Sequence, residues 1–79
     1  MRVVEEIVRP ESKITIFSWN GKFIIKFEQD VLEQTYKVSE LDLTSEADVK
    51  TILSEAFIAT VEQRFAQMRK DFYTAMDGI

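Results

Sequence analysis

The sequence lacks cysteine and histidine and contains little glycine or proline. Its 79 residues include no Cys, no His, two Gly and one Pro. Without Cys there is no disulfide framework, no thiol nucleophile and no Cys-ligated zinc or iron–sulfur site. Without His the commonest general base and metal ligand is missing, which excludes catalytic triads and most catalytic metal sites. We therefore expect a protein that is not an enzyme and that holds no metal or cofactor.

Long hydrophobic runs are missing as well. No apolar stretch approaches the roughly 20 residues that span a bilayer, and Glu5 and Glu6 stand where a signal peptide would be apolar. The net charge of -4 argues against a dedicated binder of duplex DNA. These features predict a cytoplasmic protein without membrane contact.

The hydrophobic content of 46% is that of a folded chain. At this length we expect one domain over residues 1–79. A domain of this size buries only roughly 60–65% of its unfolded surface. Natural proteins of this size often gain stability from a metal, a ligand or self-association.

The strongest local signal is Asn20-Gly21 between two β-rich segments. This dipeptide favours a two-residue hairpin turn that joins strands over 13–19 and 22–28 and sets Trp19 opposite Lys22. In that register one sheet face is almost wholly apolar and forms the expected core; it carries Ile14, Ile16, Ser18, Phe23, Ile25 and Phe27.

The opposite face of the hairpin mixes apolar and charged residues. It pairs Lys13 with Glu28, Thr15 with Lys26, Phe17 with Ile24 and Trp19 with Lys22. The first pair predicts a cross-strand ion pair, and the last would let the Lys22 ammonium lie over the indole. Phe17, Trp19 and Ile24 form an apolar patch on the side that would otherwise face solvent.

Two further strands are expected. A strand over 32–38 would follow a turn near Gln29-Asp30, with Phe27 opposite Leu32 and Lys26 opposite Glu33. The segment 2–8 fits helical spacing, but its β-branched residues favour an edge strand. The segment 9–12, with Pro10 in second position, predicts the turn between the first two strands.

The second half of the chain predicts helices over 46–53 and 55–76. Ser45, followed by acidic residues, has the features of an N-cap. The apolar stripe shifts around the helix near Ser54, so either a new helix begins there or one continuous helix bends; Ser54-Glu55 favours a break. The first stripe comprises Val49, Ile52, Leu53 and Ala56, and the second Ile58, Val61, Phe65, Met68, Phe72 and Ala75.

The second helix is too long for the predicted sheet. A helix over 55–76 is about 33 Å long, whereas a seven-residue strand spans about 23 Å. The excess would carry Phe72, Tyr73 and Met76 beyond the sheet. A second copy of the chain is the simplest cover for such residues.

One pattern faintly resembles a calcium-binding loop. Oxygen-bearing side chains occupy alternate positions from Asp42 to Asp48. Such a loop needs Gly at its sixth position and Glu at its twelfth, where this chain has Ala47 and Leu53. We interpret the segment as a polar loop and helix start.

Together these patterns predict an α+β fold of two layers. An antiparallel β-meander of three to four strands packs on a long C-terminal helix that a short helix precedes. We expect a protein–protein interaction module that forms a homodimer or binds another protein. Its expected partner-binding residues lie on the outer sheet face and at the end of the long helix: Phe17, Trp19, Lys22, Ile24, Lys26, Phe72, Tyr73 and Met76.

Two alternatives remain open. Aromatic and lysine residues on an open sheet also suit single-stranded nucleic acid, although no RNP-type motif is present and the chain is acidic. The outer face could instead be covered within the molecule by the first strand, by the short helix or by lysine stems.

Overall fold

A computed structural model describes all 79 residues as one antiparallel sheet and two helices. The sheet has the strand order β1-β2-β3-β4, and both helices contribute to a core on one of its faces. The α+β two-layer fold predicted from the sequence is therefore confirmed. The elements are β1 (Arg2–Val8), β2 (Lys13–Trp19), β3 (Lys22–Gln29), β4 (Leu32–Ser39), a 3-10 turn (Glu40–Asp42), α1 (Ala47–Ile52) and α2 (Glu55–Met76).

The β2–β3 hairpin has the predicted register. Trp19 lies opposite Lys22, and the turn residues Asn20 and Gly21 have φ angles of 54° and 76°. Positive φ at both positions matches the twist that a two-residue hairpin requires. All five apolar residues of the predicted core face are buried: Ile14, Ile16, Phe23, Ile25 and Phe27.

The register predicted between β3 and β4 is wrong by two residues. Phe27 lies opposite Gln34 rather than Leu32. The cause is a two-residue loop at Asp30-Val31, in which Asp30 adopts a φ of 53°; aspartate tolerates this left-handed conformation. A shift of two residues leaves every side chain on its face, so apolar alternation could not reveal it.

The first segment is the predicted edge strand. β1 pairs with β2, and the register shifts between Val3 and Glu5. Val4 is the additional residue of this β-bulge, and it packs on the core together with Ile7. β1 therefore widens the sheet and does not cover the outer face.

The predicted break between the helices is confirmed. α1 ends at Ile52, and the Ser54 hydroxyl accepts a hydrogen bond from the Phe57 N–H at 3.2 Å to begin α2.

The expected N-cap of α1 is wrong. The Ser45 side chain does not cap the helix, which begins at Ala47. Instead the Asp48 carboxylate accepts the N–H groups of Thr44 and Ser45 at 2.6 and 3.3 Å. The carboxylate reaches back from within the helix to the preceding turn, and no side chain caps the first N–H groups of α1.

The core lies between the inner sheet face and both helices. Three rings form its aromatic part: Phe27, Tyr36 and Phe57 meet edge to face, with centroids 5.5 to 5.9 Å apart. The helices contribute Val49, Ile58, Val61 and Phe65 as buried residues.

Candidate interaction surfaces

α2 runs along β4 toward the loop between β3 and β4. Near its start Phe57 packs on Tyr36. One turn later the Gln34 side-chain amide donates to the Val61 carbonyl at 2.9 Å. The helix thus proceeds in the direction opposite to β4, and this course carries its C-terminal end past the end of the sheet.

Arg69 makes the last polar contact of α2 with the sheet. Its guanidinium donates to the side-chain oxygens of Gln29 at 2.7 Å and of Asp30 at 3.1 Å. Arg64 likewise donates to the Tyr36 hydroxyl at 3.1 Å. Both arginines therefore tie α2 to the sheet. Lys70, the next residue, is exposed.

Beyond Arg69 the helix projects into solvent. All residues of 71–79 are exposed. Phe72, Tyr73 and Met76 keep 44%, 45% and 45% of their surface accessible, as the length comparison predicted. Phe72 follows Phe65 and Met68 on the same side of the helix, at spacings of seven and four residues. The apolar stripe that builds the core therefore continues where the sheet no longer covers it.

The outer sheet face is less apolar than the sequence predicted. No helix packs on it, since both helices lie on the inner face. Ile24 is nevertheless only 8% exposed, because Phe17 of β2 and Lys37 of β4 flank it in register. Phe17 is half-buried, which leaves Trp19, 49% exposed, as the main apolar group of this face. The expectation that Ile24 forms part of an exposed patch is wrong.

Acidic side chains neutralise half of the lysines on this face. The Lys26 ammonium lies 3.8 Å from a Glu28 oxygen and 3.6 Å from a Glu33 oxygen. Lys26 and Glu33 are diagonal neighbours rather than the directly opposed pair predicted. Lys13 pairs with Glu6 at 3.7 Å, whereas an ion pair with Glu28 was expected.

Lys22 and Lys37 form no ion pair. Lys22 lies opposite Ser39, and Lys37 lies opposite Ile24. The two lysines are therefore diagonal neighbours rather than a directly opposed pair. The face therefore presents two unpaired positive charges at different positions along the sheet.

The two candidate surfaces lie at opposite ends of the molecule, whose longest dimension is 46 Å. Trp19 and Lys22 flank the β2–β3 turn, whereas Arg69, at the base of the projecting helix, contacts Asp30 in the β3–β4 loop. The residues predicted for partner binding thus do not form one site. Phe17, Trp19, Lys22, Ile24 and Lys26 occupy the outer face, and Phe72, Tyr73 and Met76 the helix end.

A cleft of about 370 Å³ lies between α1 and the first two strands. Val4, Glu5, Glu46 and Lys50 are among its lining residues. Lys50 pairs with Glu5 at 3.3 Å, and Glu46 pairs with Arg2 at 2.9 Å. These charges attach α1 to β1, so the cleft offers a substrate little free charge.

One exposed residue escaped the sequence reasoning. Leu41, in the 3-10 turn after β4, is 95% exposed. Leu41 lies between two acidic residues after the strand predicted over 32–38, outside every segment for which the sequence predicted a strand or a helix.

The search for related proteins found no family model, no curated protein and no solved structure that matches this chain. In addition, neither helix is long and apolar enough to cross a membrane.

Proposed function

We propose that the chain is a non-enzymatic protein-interaction module that forms a homodimer through the projecting end of α2. The observation that carries this proposal is that the core stripe continues to Phe72 beyond the sheet, where Tyr73 and Met76 are exposed as well. A cytoplasmic location, expected from the sequence, belongs to the same proposal.

The energetics of a small domain support this function. Burying one large apolar side chain contributes about 1.5–3 kcal/mol. Three such side chains at the helix end are each more than two-fifths exposed. Clusters of exposed aromatic and aliphatic groups mark interfaces between proteins, and aromatic residues and Met are enriched there.

Binding of single-stranded nucleic acid has weaker support. Such binding uses several stacked aromatic rings and a positively charged groove. The outer face has one well-exposed ring, Trp19, and acidic residues accompany Lys13 and Lys26. The projecting end of α2 is therefore the better supported of the two binding surfaces, and we base the proposed function on it.

Sedimentation equilibrium at micromolar concentration tests the proposal. We expect the wild type to dimerise and the double variant Phe72→Ala/Met76→Ala to be monomeric, because the variant removes two apolar groups from the proposed interface. Alanine preserves the helix propensity of α2. The matched control is Lys70→Ala/Thr74→Ala, an i,i+4 pair on the opposite side of the same helix segment.

A wild-type monomer throughout the concentration range, or a dimer that both double variants leave intact, would refute dimerisation through α2. Quenching of Trp19 fluorescence by a single-stranded oligonucleotide at low salt, without dimerisation, would instead support the nucleic-acid alternative.

A further inference from the structure

The two edges of the sheet differ in their suitability for strand pairing. β1 carries a bulge at Val4, and a bulge disrupts the regular edge on which another strand would pair. β4 is the opposite edge; its eight residues pair with β3 without interruption and include neither Pro nor Gly. A long regular edge strand is a ready template for another strand.

The hydrogen-bonding parity shows which residues of β4 face the open edge. Gln29 and Leu32 flank a two-residue loop, so they form a hydrogen-bonded pair. Counted from Leu32, every second residue of β4 therefore bonds to β3 through its backbone. The Glu40 N–H, which donates to the Gly21 carbonyl at 3.0 Å, continues this parity. The residues of β4 whose N–H and C=O groups point away from the sheet are therefore Glu33, Thr35, Lys37 and Ser39.

Glu33, Thr35 and Lys37 form a self-complementary sequence. If Thr35 lies opposite Thr35 of a second, antiparallel copy, each Glu33 lies opposite Lys37 of the other copy. All three pairs are then hydrogen-bonded pairs, which gives about six backbone hydrogen bonds. Opposite charges directly across an antiparallel pair are stabilising, and like charges are destabilising.

Charge also disfavours the two registers that are centred on a charged residue. Pairing centred on Glu33 would oppose two carboxylates, and pairing centred on Lys37 would oppose two ammonium groups. Lys37 has no ion pair within its own chain, and the Glu33 side chain is 55% exposed although it pairs with Lys26, so both side chains are accessible to a partner. The register centred on Thr35 is the one that the charges favour.

We infer that two copies of this chain join edge to edge through β4, in the antiparallel register centred on Thr35, to form one continuous eight-stranded sheet. This inference rests on the proposed self-association and names its geometry. The two-fold axis is perpendicular to the sheet, so the helices of both copies remain on the same face. The interface is isologous and closes, as in the commonest class of dimers.

The same axis brings the projecting helix end to the partner's 3-10 turn. Asp30, which Arg69 contacts, lies roughly 17 Å from Thr35 along the strand direction. Phe72 follows one helical turn later, at roughly 21 Å from the axis. The partner's β4 runs the opposite way and places its exposed Leu41 at roughly 18 Å on that side. The apolar groups that lack a cover in the monomer thus lie at the same end of the dimer.

Charge exchange tests the register. Lys37→Glu sets two pairs of carboxylates opposite each other, and Glu33→Lys sets two pairs of ammonium groups. We expect either variant to raise the dimer dissociation constant by at least about tenfold in sedimentation equilibrium. The double variant Glu33→Lys/Lys37→Glu restores both attractive pairs and should dimerise within about threefold of the wild type.

An equimolar mixture of the two single variants should form heterodimers, detectable by their mass in native mass spectrometry. In the mixed dimer each Lys faces a Glu, so recovery also shows that both variants are folded. Glu11→Lys and Lys70→Glu are the controls, because they change the net charge equally at exposed sites and should leave the dimer intact.

The outcomes separate the two proposals. Single variants that dimerise as the wild type does, or a double variant and a mixture that fail to recover, would overturn the β4 pairing. If in that case Phe72→Ala/Met76→Ala still dissociates the dimer, self-association through α2 stands without it. A wild type that stays monomeric would overturn both.

Discussion

At the scale of single residues, positive φ angles fix the shape of the sheet. Asn20, Gly21 and Asp30 adopt left-handed backbone conformations in the two tight loops that flank β3. The Asn20-Gly21 signal was readable because the dipeptide is specific to one turn type. The loop at Asp30-Val31 was not readable from the sequence, because Val31 is unusual in a tight loop and β-branched residues favour strands. The register error between β3 and β4 follows from this one residue.

Gly21→Val measures the conformational cost of the first loop directly. A Cβ at Gly21 would meet no atom within 4 Å, so a steric clash plays no part, while its φ of 76° disfavours a β-branched residue. We expect a loss of about 1–3 kcal/mol and, at about 4–8 °C per kcal/mol for a domain of this size, a clearly lower melting temperature.

Gly78→Val is the matched control, because this glycine lies beyond α2 and is not in the left-handed region. It should change the melting temperature little. Equal melting temperatures for the wild type and Gly21→Val would contradict the strained turn.

At the scale of elements, the sequence predicted the order and type of every strand and helix but not all of their ends. Apolar alternation identified the inner face, and the shift of the helical stripe located the break at Ser54. The N-cap of α1 was misassigned because Ser45 and Asp48 both occur in a typical helix start, and only the structure shows which side chain bonds to the backbone.

The outer face was misjudged for a similar reason. Burial of Ile24 depends on side chains of both neighbouring strands. Lys37 lies beside Ile24 only in the observed register of β3 and β4, which the sequence analysis had predicted incorrectly.

A pair of serine substitutions tests these helix starts. Ser54→Ala removes the hydroxyl that accepts the Phe57 N–H and should reduce the free energy of unfolding by about 1 kcal/mol. Ser45→Ala should have almost no effect, because the Ser45 hydroxyl does not cap α1. Urea denaturation of both variants provides the measurement. A larger loss for Ser45→Ala than for Ser54→Ala would reverse the assignment of caps.

At the scale of the whole molecule, the mismatch between helix and sheet lengths is the main functional clue. It was visible in the sequence, because helix and strand rises are fixed by backbone geometry. The sequence could not show that the projecting residues and the outer-face residues lie at opposite ends, since that depends on the direction in which α2 crosses the sheet. Contacts from Tyr36 to Asp30 establish that direction.

Deletion of residues 71–79 separates folding from association. Every residue of this segment is exposed, and the contacts of Arg69 with the sheet remain. We therefore expect the truncated chain to unfold at low protein concentration with nearly the free energy of the full chain. Association stabilises the folded state by mass action, so the melting temperature of the full chain should rise with protein concentration, whereas that of the truncated chain should not.

Melting curves over a hundredfold range of concentration test both points. A truncated chain that is much less stable even when dilute would show that the helix end supports the fold of the single chain; retained concentration dependence would place the association elsewhere.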